Sequence, residues 1–363
     1  MPTPVPLSVL GTVDPVVRDS AIMNLLLDAP GTAVVRHDIV ETAKGGGGIR
    51  RLVLTVDGPV EDVVVPLEHA CTSCAVREDA VPTLRRIVAD GCTSVVLALP
   101  VSAETLPAAR TLTAETRGGD LTRLRMSAVV AAFEGSAFEE DLLGDDLLDE
   151  RDLALTGDDR RAVGEAVAAQ VAHADVVLVT GDVPPRASDL LEHVRAADAA
   201  RVDGFDRLDG RRLFAHRHDP LAGERRTDPR RVEPAQGPTG NGVWTLDLRS
   251  ERPFHPDRLL ERIEALGAGP VRGRGVFWVP TRPDSVCVWD GAGGQLSIGG
   301  LGTWGSAPAR TRLVLTGTSD RRADLREAFR GALLTDAEWD AGLAPWLGSD
   351  DVLAPWLGER RHA

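Results

Sequence analysis

The chain has 363 residues, a length that predicts two domains rather than one. Its formal net charge of −14 argues against binding of nucleic acid or of an anionic membrane through a broad basic face. Four cysteines are too few for a disulfide scaffold and predict reduced thiols in a cytoplasmic protein. Two of them, Cys92 and Cys287, are expected to be buried like small apolar residues. No apolar run is long enough to predict a membrane span, and the first residues do not resemble a signal peptide.

Short apolar runs alternate with helical patterns through the first half of the chain. Asp14 is predicted to cap a helix that has Pro15 at its first position, and further helices are predicted over Pro82–Ala89 and Asp159–Ala172. The order of strand, helix and strand is typical of an α/β fold with a mostly parallel sheet flanked by helices. The predicted strands are Val5–Leu10, Thr32–Arg36, Arg51–Thr55, Val63–Leu67, Ser94–Leu99, Ala128–Phe133 and Asp175–Thr180.

Two segments interrupt this alternation and are predicted to lack regular structure. Glu139–Asp159 is strongly acidic and is interpreted as a solvated loop. His216–Gly242 is rich in proline, glycine and arginine and is interpreted as a linker. His216 and His218, beside this linker, are therefore expected to face solvent.

The remainder of the chain predicts a small α+β domain. The tail repeats the sequence Ala-Pro-Trp-Leu-Gly at 344–348 and 354–358, which favours an amphipathic surface segment, with partner docking as the alternative. We therefore predict domains at 1–214 and 243–340, a linker at 215–242 and a tail at 341–363. The predicted strands are Gly242–Leu248, Gly275–Thr281, Val286–Asp290, Gln295–Ile298 and Arg312–Gly317, and the predicted helices are Pro256–Leu266 and Ala323–Leu333.

A Cys-x-x-Cys sequence, Cys71 and Cys74, lies between a predicted strand and a predicted helix, and His69 stands two residues before it. Two thiolates and one imidazole form a nitrogen and sulfur donor set that suits Zn²⁺. The adjoining helix N-terminus is expected to lower the thiol pKa values. Water, Glu68, His37 or a residue of a partner could supply the fourth ligand. Two ordinary reduced thiols and thiol–disulfide exchange are the alternatives to a metal site.

Several segments resemble the CobW-like family of metal-associated GTPases. CTSCAVRED at 71–79 is similar to the family's Cys-x-Cys-Cys motif, with Ser73 in place of the middle cysteine. VAAQVAHADVVLV at 167–179 resembles the strand that leads to the guanine-specificity motif, and GRGVFWVPTRPDSVCVWDGAGGQLSI at 273–298 resembles the CobW C-terminal domain. HACTSCAVREDAVPTLRRI and GDDLLDERDLALTGDDRRAV resemble the actinobacterial branch that contains the ribosome-hibernation-factor recruiter, whose members are linked to zinc limitation.

This resemblance implies a P-loop-NTPase-like first domain, but the residues that hold phosphate in such domains are missing. A P-loop requires G-x-x-x-x-G-K-[ST] between a strand and a helix. Gly11 matches the first glycine, whereas Val16, Val17 and Arg18 stand where the second glycine, the lysine and the hydroxyl residue belong. The alternative is that Arg18 reaches back to replace the lysine. The chain's single lysine, Lys44, lies beyond the next predicted strand.

Other residues around this site also disfavour a nucleotide. Asp14 would repel a phosphate, and Pro15 has no N–H group to donate. Thr180–Val183 occupy the place of the Asn-Lys-x-Asp motif that recognises guanine. Asp38 matches the acid of the family's Asn-Asp-Phe-Gly-Glu segment but does not form a Mg²⁺ site alone. We therefore expect no catalytic residues and neither GTP nor Mg²⁺ as a cofactor.

The resemblance implies zinc as the bound metal and leaves three functions open. The first is an adaptor in the response to zinc limitation, which recruits a hibernation factor to the ribosome through protein contacts. The second is a zinc metallochaperone GTPase of the CobW type with a divergent nucleotide site. The third is a plain zinc-binding protein.

Overall fold

The apolar runs of the first half assemble into one sheet. The computed structural model describes residues 3–41, 47–67, 71–235, 240–346, 348–349 and 351–358. The strands of this sheet are β1 (Val5–Thr12), β2 (Thr32–Glu41), β3 (Gly47–Thr55), β4 (Gly58–Pro66), β5 (Ser94–Ala98), β6 (Leu124–Glu134), β7 (Val176–Thr180) and β8 (Ala200–Asp203). Their order is β4-β3-β2-β5-β1-β6-β7-β8. The β2–β3 and β3–β4 pairs are antiparallel and the other pairs are parallel, which confirms the predicted α/β class.

Helices cover both faces of this sheet. The helices of the chain that precede residue 228 are α1 (Pro15–Asp28), α2 (Thr72–Cys74), α3 (Val81–Ala89), α4 (Thr105–Gly118), α5 (Phe138–Leu143), α6 (Val163–His173), α7 (Pro185–Val194), α8 (Gly210–Ala215) and α9 (Pro220–Thr227). Leu25 of α1 and Phe214 of α8 share one core cluster, whereas Leu84 of α3 and Leu112 of α4 share another. β5 and β7 are buried along their whole length, as expected for parallel strands covered on both faces.

Several helices differ from the sequence prediction, among them α4, which was not predicted, and α6. The inward face of α4 consists mainly of alanine and threonine, with Leu112 as its one large apolar residue, so the hydrophobic periodicity that predicts helices is weak there. α6 begins at Val163 rather than at Asp159. Asp159 lies in the preceding turn, where its carboxylate accepts hydrogen bonds from Arg161 at 2.9 and 2.7 Å.

The first part of the predicted linker is folded. Residues 220–227 form α9, and His218 is buried rather than facing solvent as predicted, whereas His216 is exposed. The His218 Nδ1 atom lies 2.7 Å from a carboxylate oxygen of Asp175, and the Arg226 guanidinium donates to the other at 2.8 Å. Burial alone would raise the pKa of Asp175, but the hydrogen bond with His218 and the other donors lower it to about 2. The burial of His218 was not predicted because its partner, Asp175, lies 43 residues away in the sequence.

The acidic stretch 139–159 is also more ordered than predicted. It contains most of α5, and the side chains of Leu142 and Leu148 are fully buried. Asp141 is buried as well, at 7% exposure. The interpretation as a solvated loop was wrong because leucines between the acids bury this segment, and burial of apolar area outweighs the pattern of charge.

The chain divides into two compact units, and the second contains an antiparallel sheet. The first unit comprises residues 1–138, 146–188 and 195–227, and the second comprises 139–145, 189–194 and 228–363. The second sheet has the order β12-β11-β10-β13-β9, formed by β9 (Trp244–Ser250), β10 (Val271–Val279), β11 (Arg282–Ala292), β12 (Gln295–Thr303) and β13 (Thr311–Gly317). Its helices are α10 (Pro256–Gly267), α11 (Arg322–Ala332), α12 (Asp336–Asp340) and α13 (Ala354–Leu357). This confirms the predicted α+β domain.

The described part of the tail packs on the second unit. Leu353 is fully buried in the core of that unit, and Asp351 pairs with the Arg282 guanidinium. The Trp346 ring lies edge-on to the His255 ring with centroids 4.9 Å apart, whereas Trp356 is 49% exposed. The tail therefore forms an amphipathic surface segment. No helix in the described part of the chain is long and apolar enough to cross a membrane.

Candidate functional site

Two segments of the first unit lie at the edge of the sheet where β1, β2 and β5 end. The first joins β1 to α1 and contains Asp14. The second runs from Cys71 through the π-helix Ala75–Ala80 into α3, which then leads back to the start of β5. Ala75 packs with Ile39 near the end of β2, which places the cysteines at the edge where ligands bind in open α/β sheets.

The two cysteines lie side by side at the start of this helical segment. Cys71 is exposed and has extended backbone angles, and its Sγ atom accepts a hydrogen bond from the Cys74 backbone N–H at 3.4 Å. Cys74 is buried at 7% exposure, and the Arg77 guanidinium approaches its Sγ atom at 3.9 Å. One thiol is therefore open to solvent or a partner, while the other is anchored inside the protein.

The pKa of the Cys74 thiol differs from the prediction. The pKa is raised from its ordinary value, chiefly because of the hydrogen bond between the Cys74 and Cys71 thiols and also because of burial. The Arg77 guanidinium acts in the opposite direction but does not outweigh these causes. The prediction that the helix N-terminus lowers this pKa is therefore wrong. A metal ion must displace a tightly held proton to bind the Cys74 sulfur.

A buried ionic network ties the cysteine segment to the sheet. Asp79, in the π-helix, is 2% exposed, accepts a hydrogen bond from Arg51 on β3 and lies 2.8 Å from the Nε2 atom of His37 on β2. Because Arg51 already donates to Asp79, we infer that His37 Nε2 donates as well. The Nδ1 atom of His37 is buried and has no hydrogen-bond partner among the described residues. π-helices are rare and occur frequently at functional sites.

The structure describes some of the predicted metal ligands and not others. Cys71 and Cys74 are adjacent, whereas His69 and the possible ligand Glu68 lie outside the described residues. His37, another possible ligand, is bonded to Asp79 through one nitrogen. Across the described ranges, no three histidine, cysteine or acidic side chains are arranged to hold a metal ion. The described donors that suit zinc are therefore the two thiols.

The junction between β1 and α1 is occupied by its own side chains. The Asp14 carboxylate accepts hydrogen bonds from the backbone N–H groups of Val16 at 2.7 Å and Val17 at 3.0 Å. These are the donors that a phosphate would use at a helix N-terminus. The Val16 side chain is 71% exposed and offers the junction no polar group.

Arg18 does not reach back toward this junction. Its side chain is 2% exposed, and its guanidinium donates to the carbonyl oxygens of His37 at 3.3 Å and Leu99 at 3.2 Å. A third contact joins it to the Asp38 carboxylate at 2.7 Å. The pKa of the Arg18 guanidinium is lowered from its ordinary value, chiefly because of burial, although the nearby Asp38 carboxylate acts in the opposite direction. Arg36 donates to the other oxygen of this carboxylate at 3.0 Å, so two arginines neutralise the acid that resembles a Mg²⁺ ligand.

Packing within the protein explains why position 11 is glycine, and no phosphate ligand is needed for that explanation. A Cβ atom at this position would lie 2.6 Å from the Thr105 side chain and 3.6 Å from that of Gln170. The close approach of α4 and α6 to β1 therefore requires glycine here. After β7, Gly181 has a φ of 71° and Asp182 is exposed. Lys44 lies outside the described residues.

The His37–Asp79–Arg51 network is the part of the site that sequence reasoning missed. His37 was considered only as a metal ligand. Its partner Asp79 lies 42 residues away, and no short motif joins the two. The pairing of His37 with Arg51 across β2 and β3 depends on strand register, which the sequence pattern does not specify here.

Comparisons with known proteins place the chain near zinc-associated proteins. Residues 243–333 match the family described as the cobalamin synthesis protein cobW C-terminal domain. The zinc chaperone Rv0106 of Mycobacterium tuberculosis is 28% identical over 309 residues, which cover 81% of this chain and 73% of that protein. The zinc-regulated GTPase metalloprotein activator 1 of Dictyostelium discoideum is 23% identical over 269 residues, which cover 67% of this chain and 55% of that protein.

One solved structure shows a weaker likeness. The crystal structure of Zn(II)-bound YjiA GTPase from E. coli aligns with 91% of this chain and 99% of that chain, at 14% identity and a TM-score of 0.37. A likeness at that score supports no further conclusion. The domain match and the sequence relatives confirm the predicted resemblance to CobW-like proteins. The likeness to an actinobacterial branch stays a prediction.

Proposed function

We propose that this CobW-like chain is a zinc-handling protein of the chaperone type, with Cys71 and Cys74 as zinc ligands. The single observation that carries the proposal is the geometry of this pair, in which one thiol is exposed and the other anchored. Sequence relatives that are described as a zinc chaperone and as a zinc-regulated activator support zinc as the cargo.

The donor set fits zinc and favours transfer rather than permanent binding. Zn²⁺ in a structural site is held by four protein ligands, and an incomplete set leaves positions that a recipient protein can fill. Here the described residues supply two thiols, and His69 is the proposed third ligand. Cys71, being exposed, is the ligand that a recipient would approach first. Zinc can therefore pass to a recipient by ligand exchange.

We further propose that this transfer does not depend on a P-loop. Asp14 already occupies the helix N-terminus, and Arg18 holds Asp38, so no described group at the junction offers a cation to a phosphate. Any nucleotide contact would have to use another part of the chain. This differs from the usual GTPase mechanism, in which a lysine and a bound Mg²⁺ neutralise the phosphates.

An adaptor role is the second candidate, and the comparisons favour it less than the zinc chaperone. Its support is the closed junction in the first unit together with a C-terminal domain that still matches its family. It would recruit a hibernation factor to the ribosome during zinc limitation. Affinity purification from zinc-depleted cells tests it, and the absence of ribosomal proteins and hibernation factors from the purified material would contradict it.

Zinc binding by matched cysteine variants tests the main proposal. A chromophoric chelator competes with the purified protein for zinc, and the affinity is compared for wild type, Cys71→Ser with Cys74→Ser, and Cys92→Ser. Cys92 is a suitable control because it lies outside the cysteine segment and packs against a hydrophobic core cluster. We expect the double variant to lose stoichiometric zinc binding and the control to keep it. Unchanged zinc binding in the double variant would refute the proposal.

A further inference from the structure

A groove on the helical layer of the second unit carries arginines that the zinc proposal does not use. It lies between α10 and α11, and its lining residues are Arg262, Ala323, Arg326, Glu327, Arg330 and Gly331. Elsewhere in this unit guanidinium groups pair with carboxylates, as Arg258 does with Glu338 and Arg312 does with Asp247. Within the described residues, the three guanidinium groups of this groove make no such pair.

The arrangement of the groove depends on a glycine. A Cβ atom at Gly331 would lie 2.7 Å from the Arg262 Cζ atom, so the guanidinium rests directly against the backbone of α11. The Nε atom of Arg262 is buried there and has no hydrogen-bond partner among the described residues. A buried donor without an acceptor is costly, and within the described residues no carboxylate compensates the charge of Arg262.

The other two arginines extend the positive charge along α11. Arg326 and Arg330 are exposed and lie one turn apart on the same helix face, about 6 Å along the helix axis. Glu327 is the single acid of the lining, so three cations and one anion leave an excess of two positive charges. This local excess stands out on a chain whose net charge is −14.

We propose that this arginine groove binds an acidic peptide segment of a partner protein. Alternate side chains of an extended peptide lie about 6.6–6.8 Å apart on one face, which matches the rise from Arg326 to Arg330. The lined face of α11 spans about 12 Å from Ala323 to Gly331, which is longer than a single phosphate group. Each guanidinium can hold a carboxylate through two parallel hydrogen bonds.

Fluorescence polarisation of a labelled hexaglutamate peptide on the full-length protein tests this proposal. We expect binding that weakens as ionic strength rises, because the contacts are charge-assisted and exposed. A hexaglutamine peptide should not bind. Changing both Arg326 and Arg330 to alanine should weaken the affinity about tenfold or more. Arg322→Ala is the matched control, since Arg322 is an exposed arginine of the same helix outside the groove, and it should leave affinity unchanged.

The variant Gly331→Ala tests whether the geometry of the groove matters, because it changes the geometry and leaves the charge unchanged. The added methyl group must displace the flexible end of Arg262 while the net charge stays the same, so we expect weaker binding of hexaglutamate with the fold intact by circular dichroism. Equal affinity in wild type and the double arginine variant, or equal losses in that variant and Arg322→Ala, would overturn the proposal. Displacement of the peptide by micromolar inorganic phosphate would also overturn it, because the groove would then be a phosphate site.

Discussion

Two segments at the same edge of the first sheet differ in how many of their polar groups have partners within the protein. At the junction of β1 and α1, the Asp14 carboxylate satisfies the helix N–H groups and Arg18 satisfies Asp38. In the cysteine segment, Cys71 is exposed, and the Nδ1 atom of His37, which contacts this segment from β2, is buried without a partner among the described residues. The junction has thus become structural, while the cysteine segment keeps groups that can bind a ligand.

This comparison shows that loss of a motif can be compensated within the fold. Removing a P-loop lysine and its Mg²⁺ would leave an acid such as Asp38 without a positive charge nearby. Arg18 supplies that charge together with Arg36 on β2, and Arg18 stands where the sequence comparison places the hydroxyl residue of a P-loop. The geometry that we propose to disfavour phosphate binding also stabilises the edge of the sheet, and the two effects can be separated by mutation.

The largest expected effect is on stability at the junction. Arg18→Met would leave the carbonyl oxygens of His37 and Leu99 without their buried donor and Asp38 with Arg36 alone, so we expect a loss of about 1–3 kcal/mol of unfolding free energy. Urea denaturation measures the change. Arg50→Ala is the matched control, because the Arg50–Asp62 pair is a similar contact at the surface, and we expect no resolvable loss there. Equal losses in both variants would contradict a special role for Arg18.

The next effect concerns zinc affinity at the cysteine segment and its dependence on pH. The Cys74 thiol has a raised pKa, so it keeps its proton at neutral pH and zinc must displace that proton. Apparent affinity should therefore rise with pH, by about tenfold per pH unit for each proton displaced. Chelator competition between about pH 6 and about pH 9 measures the slope. Cys74→Ser should reduce the slope by one proton, and an unchanged slope would show that Cys74 is not a ligand.

The smallest effect tests the cap of the junction. Asp14→Ala removes the acceptor for the Val16 and Val17 N–H groups and should lower the unfolding free energy by about 1 kcal/mol. Asp14→Asn keeps a capping oxygen and should lose much less. Thermal unfolding followed by circular dichroism compares the two variants. A loss as large for asparagine as for alanine would mean that charge rather than capping stabilises the helix.

Local features of both units could be predicted from the sequence. Asp14 followed by Pro15 predicted the start of α1 correctly, because a cap depends only on residues within one turn. The strands of the second sheet were also predicted, since their apolar pattern is regular. Helix α9 was not predicted because its buried residues are Ala222 and Gly223, which give no hydrophobic periodicity in a segment rich in charged residues.

The chemistry of the candidate site was less predictable than the fold. The position of the Arg18 guanidinium depends on Leu99, 81 residues away. The pKa of Cys74 depends on how close the two thiols lie and how deeply one is buried, and the Cys-x-x-Cys spacing specifies neither. In both cases, long-range packing rather than local sequence determines which groups remain available to a ligand.

The central claim is that the cysteine segment handles zinc while the junction binds no nucleotide phosphate. Isothermal titration of the full-length protein with GTP and Mg²⁺, performed with zinc-free and zinc-loaded samples, tests it most directly. We predict no binding heat in either sample at high micromolar nucleotide. Saturable binding of GTP that is lost in Val16→Asp, which places a carboxylate at an exposed position of the junction, would contradict the claim.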